Sequence, residues 1–183
     1  METVLIIIAI LAILAVAVGA VVFFQRQRQS DRLRERFGPE YDRTVSQAGR
    51  GDAERELRQR QERVEGFDIR ELAPDQRRVY VERWRVVQAD FVDSPDTAII
   101  AADELVQEVM AARGYPVEDF EQRAADLSVH HPQFVQDYRG AHAISEAHRR
   151  QPRSTEELRQ AMIHYRALFS ELLGEVASPR SAA

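Results

Sequence analysis

All five histidines of the chain, His130, His131, His142, His148 and His164, fall between residues 130 and 164, and that clustering is the feature that most suggests a site. Ligand spacing can be tested directly. A di-iron carboxylate bundle needs Glu three residues before a ligating His, and those positions hold Leu127, Ser128, Arg139, Ser145 and Ala161. A His-Glu-x-x-His pair is also absent. His142 and Glu146 are four apart and share one face of any helix, which fits a two-ligand metal site or a plain side-chain pair. They are the metal candidates, and spacing identifies no third ligand.

Other chemistries are excluded by composition. All 25 basic residues are Arg, so Schiff-base chemistry, a Walker lysine and a lysine general base are absent. Without cysteine there is no disulfide framework, thiolate nucleophile or Cys-ligated metal. Neither Gly-x-Ser-x-Gly nor a Gly-rich phosphate loop occurs. No catalytic residue, cofactor-binding residue or cofactor is assigned.

The elements that would position any site read as helices. Tyr80, Trp84, Val87 and Phe91 recur at helical steps after Pro74, and Ile99, Ala102, Val106 and Val109 follow Ser94-Pro95-Asp96, read as an N-cap with Pro at the first helical position. Phe120, Ala124 and Leu127 share one side, and Phe134, Tyr138 and Ala141 align after His131-Pro132. Ser154-Thr155-Glu156-Glu157 matches a capping box before the apolar face Leu158, Ala161, Met162, Tyr165, Leu168, Phe169 and Leu172. No segment alternates with a period of two, so the fold expected is all-α, with a bundle of about five helices over 67–174. Trp84 and the aromatic stripes read as core.

Ahead of the bundle, Val4 to Phe24 is an uncharged apolar run long enough to cross a bilayer once. No Lys or Arg precedes it to form a signal-peptide n-region, so it reads as a retained transmembrane helix. Arg26, Arg28, Arg32, Arg34 and Arg36 follow it and predict a membrane-surface cluster on the cytoplasmic side, with a short N-terminus outside. Ala15 and Gly19 form a small-xxx-small pair that would let a second copy approach as a homo-oligomer. Gly38-Pro39 and Gly49-Arg50-Gly51 punctuate the next stretch, in which Asp52 is placed to cap a polar helix with a thin stripe at Ala53, Leu57 and Val64. The organisation expected is an anchor at 1–24, an Arg-rich juxtamembrane helical spacer at 25–66, the bundle at 67–174 and a flexible tail at 175–183. Residues 25–63 carry 11 Arg against 8 acids, whereas 64–183 carry 14 Arg against 21 acids, which argues against nucleic acid as a partner.

The words RFGPEYDRTV (36–45), RGYPVEDFEQRAADLSVHHP (113–132) and TEELRQAMIHYRALFSELL (155–173) resemble those of an uncharacterised family of bacterial single-pass membrane proteins. The resemblance covers most of the chain. It implies a membrane-tethered soluble helical domain in the bacterial inner membrane, and it implies no activity and no site residue. The expectation is a membrane-anchored, non-enzymatic helical module that binds another protein. Its alternatives are a metal-dependent activity using the histidines of 130–164, or the binding of a lipid or small hydrophobe.

Overall fold

Glycine and proline punctuate an otherwise helical chain. The computed structural model describes residues 2–174, apart from the side chains of residues 2–13, 15, 16, 18, 22 and 26. Its helices are α1 (Glu2–Phe37), α2 (Pro39–Ala48), α3 (Arg50–Glu65), α4 (Pro74–Asp93), α5 (Pro95–Ala112), α6 (Phe120–Leu127), α7 (Pro132–Arg150) and α8 (Thr155–Leu172). Among the described residues there is no strand, so the chain is all-α as its periodicity predicts. The expected flexible tail at 175–183 and the side chain of Ala15 lie outside the described residues. Among the described residues no helix is long and apolar enough to cross a membrane. The apolar run Val4 to Phe24 lies in α1, and most of its side chains are outside those described.

Contacts divide the chain into two units, Met1–Leu57 and Arg58–Ala183, and the division falls inside α3. In the first unit α1 ends where Gly38 takes φ +47°, a left-handed turn that L side chains resist, and Pro39 then supplies the preset φ at the start of α2. Leu33, Phe37, Tyr41, Ala53 and Leu57 are buried. A polar knot sits beside them. Glu54 accepts hydrogen bonds from Ser30 Oγ (2.5 Å), Tyr41 OH (3.0 Å) and Arg50 Nε (3.1 Å). Burial pushes the Glu54 carboxyl up, but the bonds from Ser30, Arg50 and Tyr41 outweigh it and hold the group below its ordinary value. The expected cap at Asp52 is displaced. α3 begins earlier, at Arg50, and Asp52 lies in its first turn paired with Arg55.

In the second unit α5 is the central element, packed on α4, α7 and α8, while α7 also packs on α6 and α8. Its apolar face follows the helical period, with Ile99, Ala102, Val106, Val109 and Met110 fully buried. Trp84 of α4 stacks on Phe169 of α8 with ring centroids 4.6 Å apart, so the aromatic stripes do form core. Each large apolar side chain removed from water here contributes about 1.5–3 kcal/mol. The capping box of α8 forms as expected: Ser154 Oγ accepts from the Glu157 N–H at 3.3 Å and Glu157 Oε2 accepts from the Ser154 N–H at 3.0 Å. Ser94 differs. Its side chain makes no capping bond, and α5 starts on Pro95 with Thr97 Oγ1 donating to the Ser94 carbonyl at 3.2 Å.

The last turns of α3 belong to this unit and are fastened by arginine. Arg63 Nε donates to Asp126 Oδ1 of α6 at 2.8 Å, and Arg60, 6% exposed, reaches Ser128 Oγ at 3.5 Å. The segment 67–73 that follows is non-helical and crosses the end of α5, where the Arg70 N–H donates to the Arg113 carbonyl at 2.9 Å. Gly114 makes that crossing feasible. Its φ is +93°, and a Cβ placed on it would sit 2.2 Å from the Asp68 carbonyl oxygen, a backbone atom that cannot swing aside. Gly114→Ala should therefore destabilise the unit by more than the roughly 1–2 kcal/mol that the left-handed backbone alone costs. Urea unfolding followed by the fluorescence of Trp84, the one tryptophan, would measure this, and an unchanged midpoint would refute the crossing.

Candidate binding cavity

Two polar groupings lie inside the second unit. The first is sealed in the core around Asp103 of α5, which is 0% exposed. Tyr165 OH donates to its Oδ1 at 3.0 Å, Gln107 Nε2 donates to its Oδ2 at 3.1 Å, and the Tyr165 oxygen lies 3.3 Å from Ser145 Oγ. Two more side chains stand slightly further off, with His142 Nδ1 3.7 Å from Oδ1 and Arg149 Nη2 3.7 Å from Oδ2. Burial pushes the Asp103 carboxyl up, yet the bonds and charges of His142, Tyr165 and Arg123 more than offset this and hold it below its ordinary value. Arg123 extends the network, donating from Nε to Tyr138 OH at 2.8 Å and from Nη1 to Gln107 Oε1 at 3.1 Å and the Val117 carbonyl at 2.7 Å. Burial raises the phenols of Tyr138 and Tyr165 well above their ordinary value, so both stay protonated.

The metal candidates are committed elsewhere. His142 stacks on Phe120 with centroids 3.6 Å apart and faces Asp103, while Glu146 pairs with Arg149 instead of His142. His148 Nε2 lies 3.3 Å from Asp96, and His164 Nδ1 lies 3.4 Å from Asp137. The clustering in sequence thus disperses along α7 and α8. Among the described residues no group of three or more His, Asp or Glu is arranged to hold a metal ion.

His130 and His131 go to a different place. A cavity of about 870 Å³ opens between the end of α3 (Val64, Glu65), the segment 67–72, Arg77 of α4, Arg113 and Tyr115 after α5, the two histidines before α7, and residues 171–174 at the end of α8. That volume is in the range of roughly 300–1,000 Å³ that ligand pockets occupy. At its base His131 Nδ1 and Glu171 Oε1 are 2.9 Å apart, with about a tenth of each side chain exposed. A carboxylate can only accept, so the ring proton sits on Nδ1 and Nε2 presents a lone pair. Burial lowers the His131 pKa below its ordinary value, against the opposing pull of Glu171, and keeps the ring neutral at pH 7. His131 Nε2 and Glu171 Oε2 are both buried without a hydrogen-bond partner, and so is Arg77 Nε on the cavity wall. Such groups are costly to leave unmet, about 1–3 kcal/mol each. Tyr115 OH pairs with His130 Nδ1 at 3.0 Å, and burial pushes its phenol up to about 12. Arg113 is occupied by backbone, donating from Nη1 to the Leu172 carbonyl at 3.1 Å and from Nε to that of Arg70 at 3.3 Å.

Of these groups the sequence singled out only the two histidines, as members of a cluster. Glu171 and Arg77 carried no signal of their own. The membrane-surface arginines lie on α1, where Arg28, Arg32, Arg34 and Arg36 are exposed and Arg34 Nη2 donates to Asp42 at 2.8 Å. The side chain of Arg26 is outside those described.

No family model, curated protein or solved structure matches the chain.

The lowered pKa of His131 has a thermodynamic sign. Where the unfolded ring protonates near pH 6.5 and the folded ring does not, the unfolded state binds more protons, so stability present above that pH falls as the pH drops below it. Asp103 acts in the same direction, but only below its ordinary value of 3.8. Between pH 7.5 and 5.5 the loss should therefore be reduced in His131→Gln, as read from the urea midpoint at each pH. An equal loss in wild type and variant would show that His131 does not carry it.

Proposed function

We propose that the protein is a single-pass, membrane-anchored helical module that binds a protein partner and performs no turnover of its own. The observation that carries this reading is the cavity. Its lining residues His131, Glu171 and Arg77 each hold a buried polar atom without a hydrogen-bond partner, which a ligand seated among them would satisfy. Its lining contains no Ser, Thr, Cys or Lys to act as a nucleophile, and Tyr115 is held as a neutral phenol. The acid excess of residues 64–183 adds a field that favours a basic partner.

The anchor rests on the uninterrupted run Val4 to Phe24. Leu14, Val21, Phe23 and Phe24 are each more than half exposed on α1, an arrangement that lipid would cover. The arginines that follow support a topology with the helical units on the cytoplasmic side of a bacterial inner membrane and the N-terminus outside. A metal-dependent activity on His142 and Glu146 has less behind it, because Glu146 is paired with Arg149 and no group of three possible ligands occurs among the described residues.

Two measurements test the anchor and its direction. Full-length protein should float with phospholipid vesicles and resist extraction at alkaline pH, and a chain lacking residues 4–24 should not. Because the chain has no cysteine, Gln151→Cys, at an exposed position after α7, gives a unique label site. A membrane-impermeant maleimide should label it only after the cells are opened. Labelling of intact cells would overturn the topology, and release by alkali would overturn the anchor.

A further inference from the structure

The geometry points to a specific ligand chemistry for the cavity: an alkyl guanidinium or alkyl ammonium, as in an arginine or lysine side chain, whose N–H groups bond His131 Nε2 and Glu171 Oε2. This inference rests on the reading of the chain as a binding module and names what the module takes. The buried dyad is one-sided, because its inner bond consumes the only proton on the ring and leaves two acceptors, one of them carrying formal charge. Two unmet acceptors on neighbouring side chains, in a site largely withdrawn from water, favour a ligand with several donors and a positive charge. Guanidinium meets that need with a planar fork, and ammonium with three rotatable donors.

The rest of the lining fits such a side chain. Phe67, Ile69, Leu72 and Leu172 offer apolar surface to an aliphatic stem. Three acids, Glu65, Glu71 and Glu171, outnumber the two lining arginines, and Arg113 is already engaged by two carbonyls. Arg77 contributes the opposite polarity. Its Nε is a buried donor without a partner and would take a carbonyl or carboxylate, which a peptide carries next to a basic side chain and a simple amine does not. The shared chemistry is the cation on its stem, and Arg77 separates its two sources, a peptide and a free amine.

Calorimetric titration of the full-length protein in lipid nanodiscs tests this with three probes: an acetylated, amidated Leu-Arg-Leu peptide, the same peptide with norleucine in place of Arg, and n-butylguanidinium. The arginine peptide should bind saturably, and the norleucine peptide should bind at least tenfold more weakly. Glu171→Gln should lose at least tenfold in affinity for both cationic probes. Arg77→Gln should weaken the peptide and leave n-butylguanidinium unchanged; equal affinity of peptide and guanidinium in wild type would instead identify a free amine as the source. Since Glu171→Gln could unfold the end of α8, the nitrogen NMR signal of His131 Nε2 in the unaltered protein gives an independent reading, and it should shift on adding either cation. No saturable binding of either cationic probe, or binding with no change at His131, overturns the proposal. The underlying reading fails separately. If the bound peptide is recovered chemically altered, the protein is not a pure binder although the ligand class stands. If neither cation binds but a photo-crosslinker at Glu71 joins the protein to one partner, blocked by filling the cavity with Leu72→Trp, the binder stands and the ligand class is wrong.

Discussion

A carboxylate enclosed by a helical core has to be answered from every side, and Asp103 imposes that condition on the second unit. An ion withdrawn from water costs several kcal/mol unless hydrogen bonds and counter-charges surround it. Here the answer comes from three helices: Gln107 on α5 itself, Tyr165 on α8, and His142 and Arg149 on α7. Tyr165 also meets Ser145 of α7, so the two outer helices touch through a polar contact as well as through their apolar faces. A purely apolar seam between helices tolerates a slip of one turn, about 5.4 Å, with modest loss of contact. The two bonds that Tyr165 makes to other helices, at 3.0 and 3.3 Å, do not tolerate it.

The cavity inherits its geometry from that register. Glu171 lies six residues beyond Tyr165 on α8, and His131 lies seven before Tyr138, which Arg123 ties to the same network. The 2.9 Å contact between His131 and Glu171 joins the start of α7 to the end of α8, so it exists only if both helices are held in the relation that Asp103 requires. On the opposite wall Gly114 lets the segment 67–73 cross close against the end of α5 and bring Phe67, Ile69 and Leu72 to the opening. The core network therefore acts on the cavity through position and not through contact with anything bound there.

Helices were legible in the sequence because apolar residues recur at helical spacing and because Pro95, Pro132 and the box at Ser154 mark starts chemically. What periodicity cannot show is a polar residue on the buried face. Asp103 stands four after Ile99 and three before Val106, squarely in the stripe, and could have been noticed for that reason. In the first unit Ser30, Leu33 and Phe37 form a stripe of the same kind, hidden among arginines that give the stretch a solvated look. The cavity is a harder case. Its walls come from six separate stretches of chain, and Glu171 and Arg77 become chemically distinctive only when folding removes their partners. The histidine cluster was a true count with the wrong geometry, since helical rotation turned His142, His148 and His164 toward Asp103, Asp96 and Asp137 separately, while His130 and His131, ahead of α7, line the cavity.

The exclusive use of arginine follows from the same need to satisfy polar groups inside a small helical unit. Arg123 serves three acceptors on different elements at once, and Arg63 bonds Asp126 through both Nε and Nη2, at 2.8 and 2.7 Å. A lysine ammonium is a compact point charge that cannot spread donors across a planar fork, so the role of Arg123 does not pass to it without leaving an acceptor unmet. Arginine used in this way turns cations into struts, as Arg60 does against Ser128 and Arg113 does between two carbonyls. Several acceptors inside the unit are thus consumed by its own guanidinium groups. The two that remain in the cavity, His131 Nε2 and Glu171 Oε2, are distinguished by the absence of such a strut, and a guanidinium or ammonium brought by another molecule would complete there the pattern that the chain completes elsewhere with its own residues.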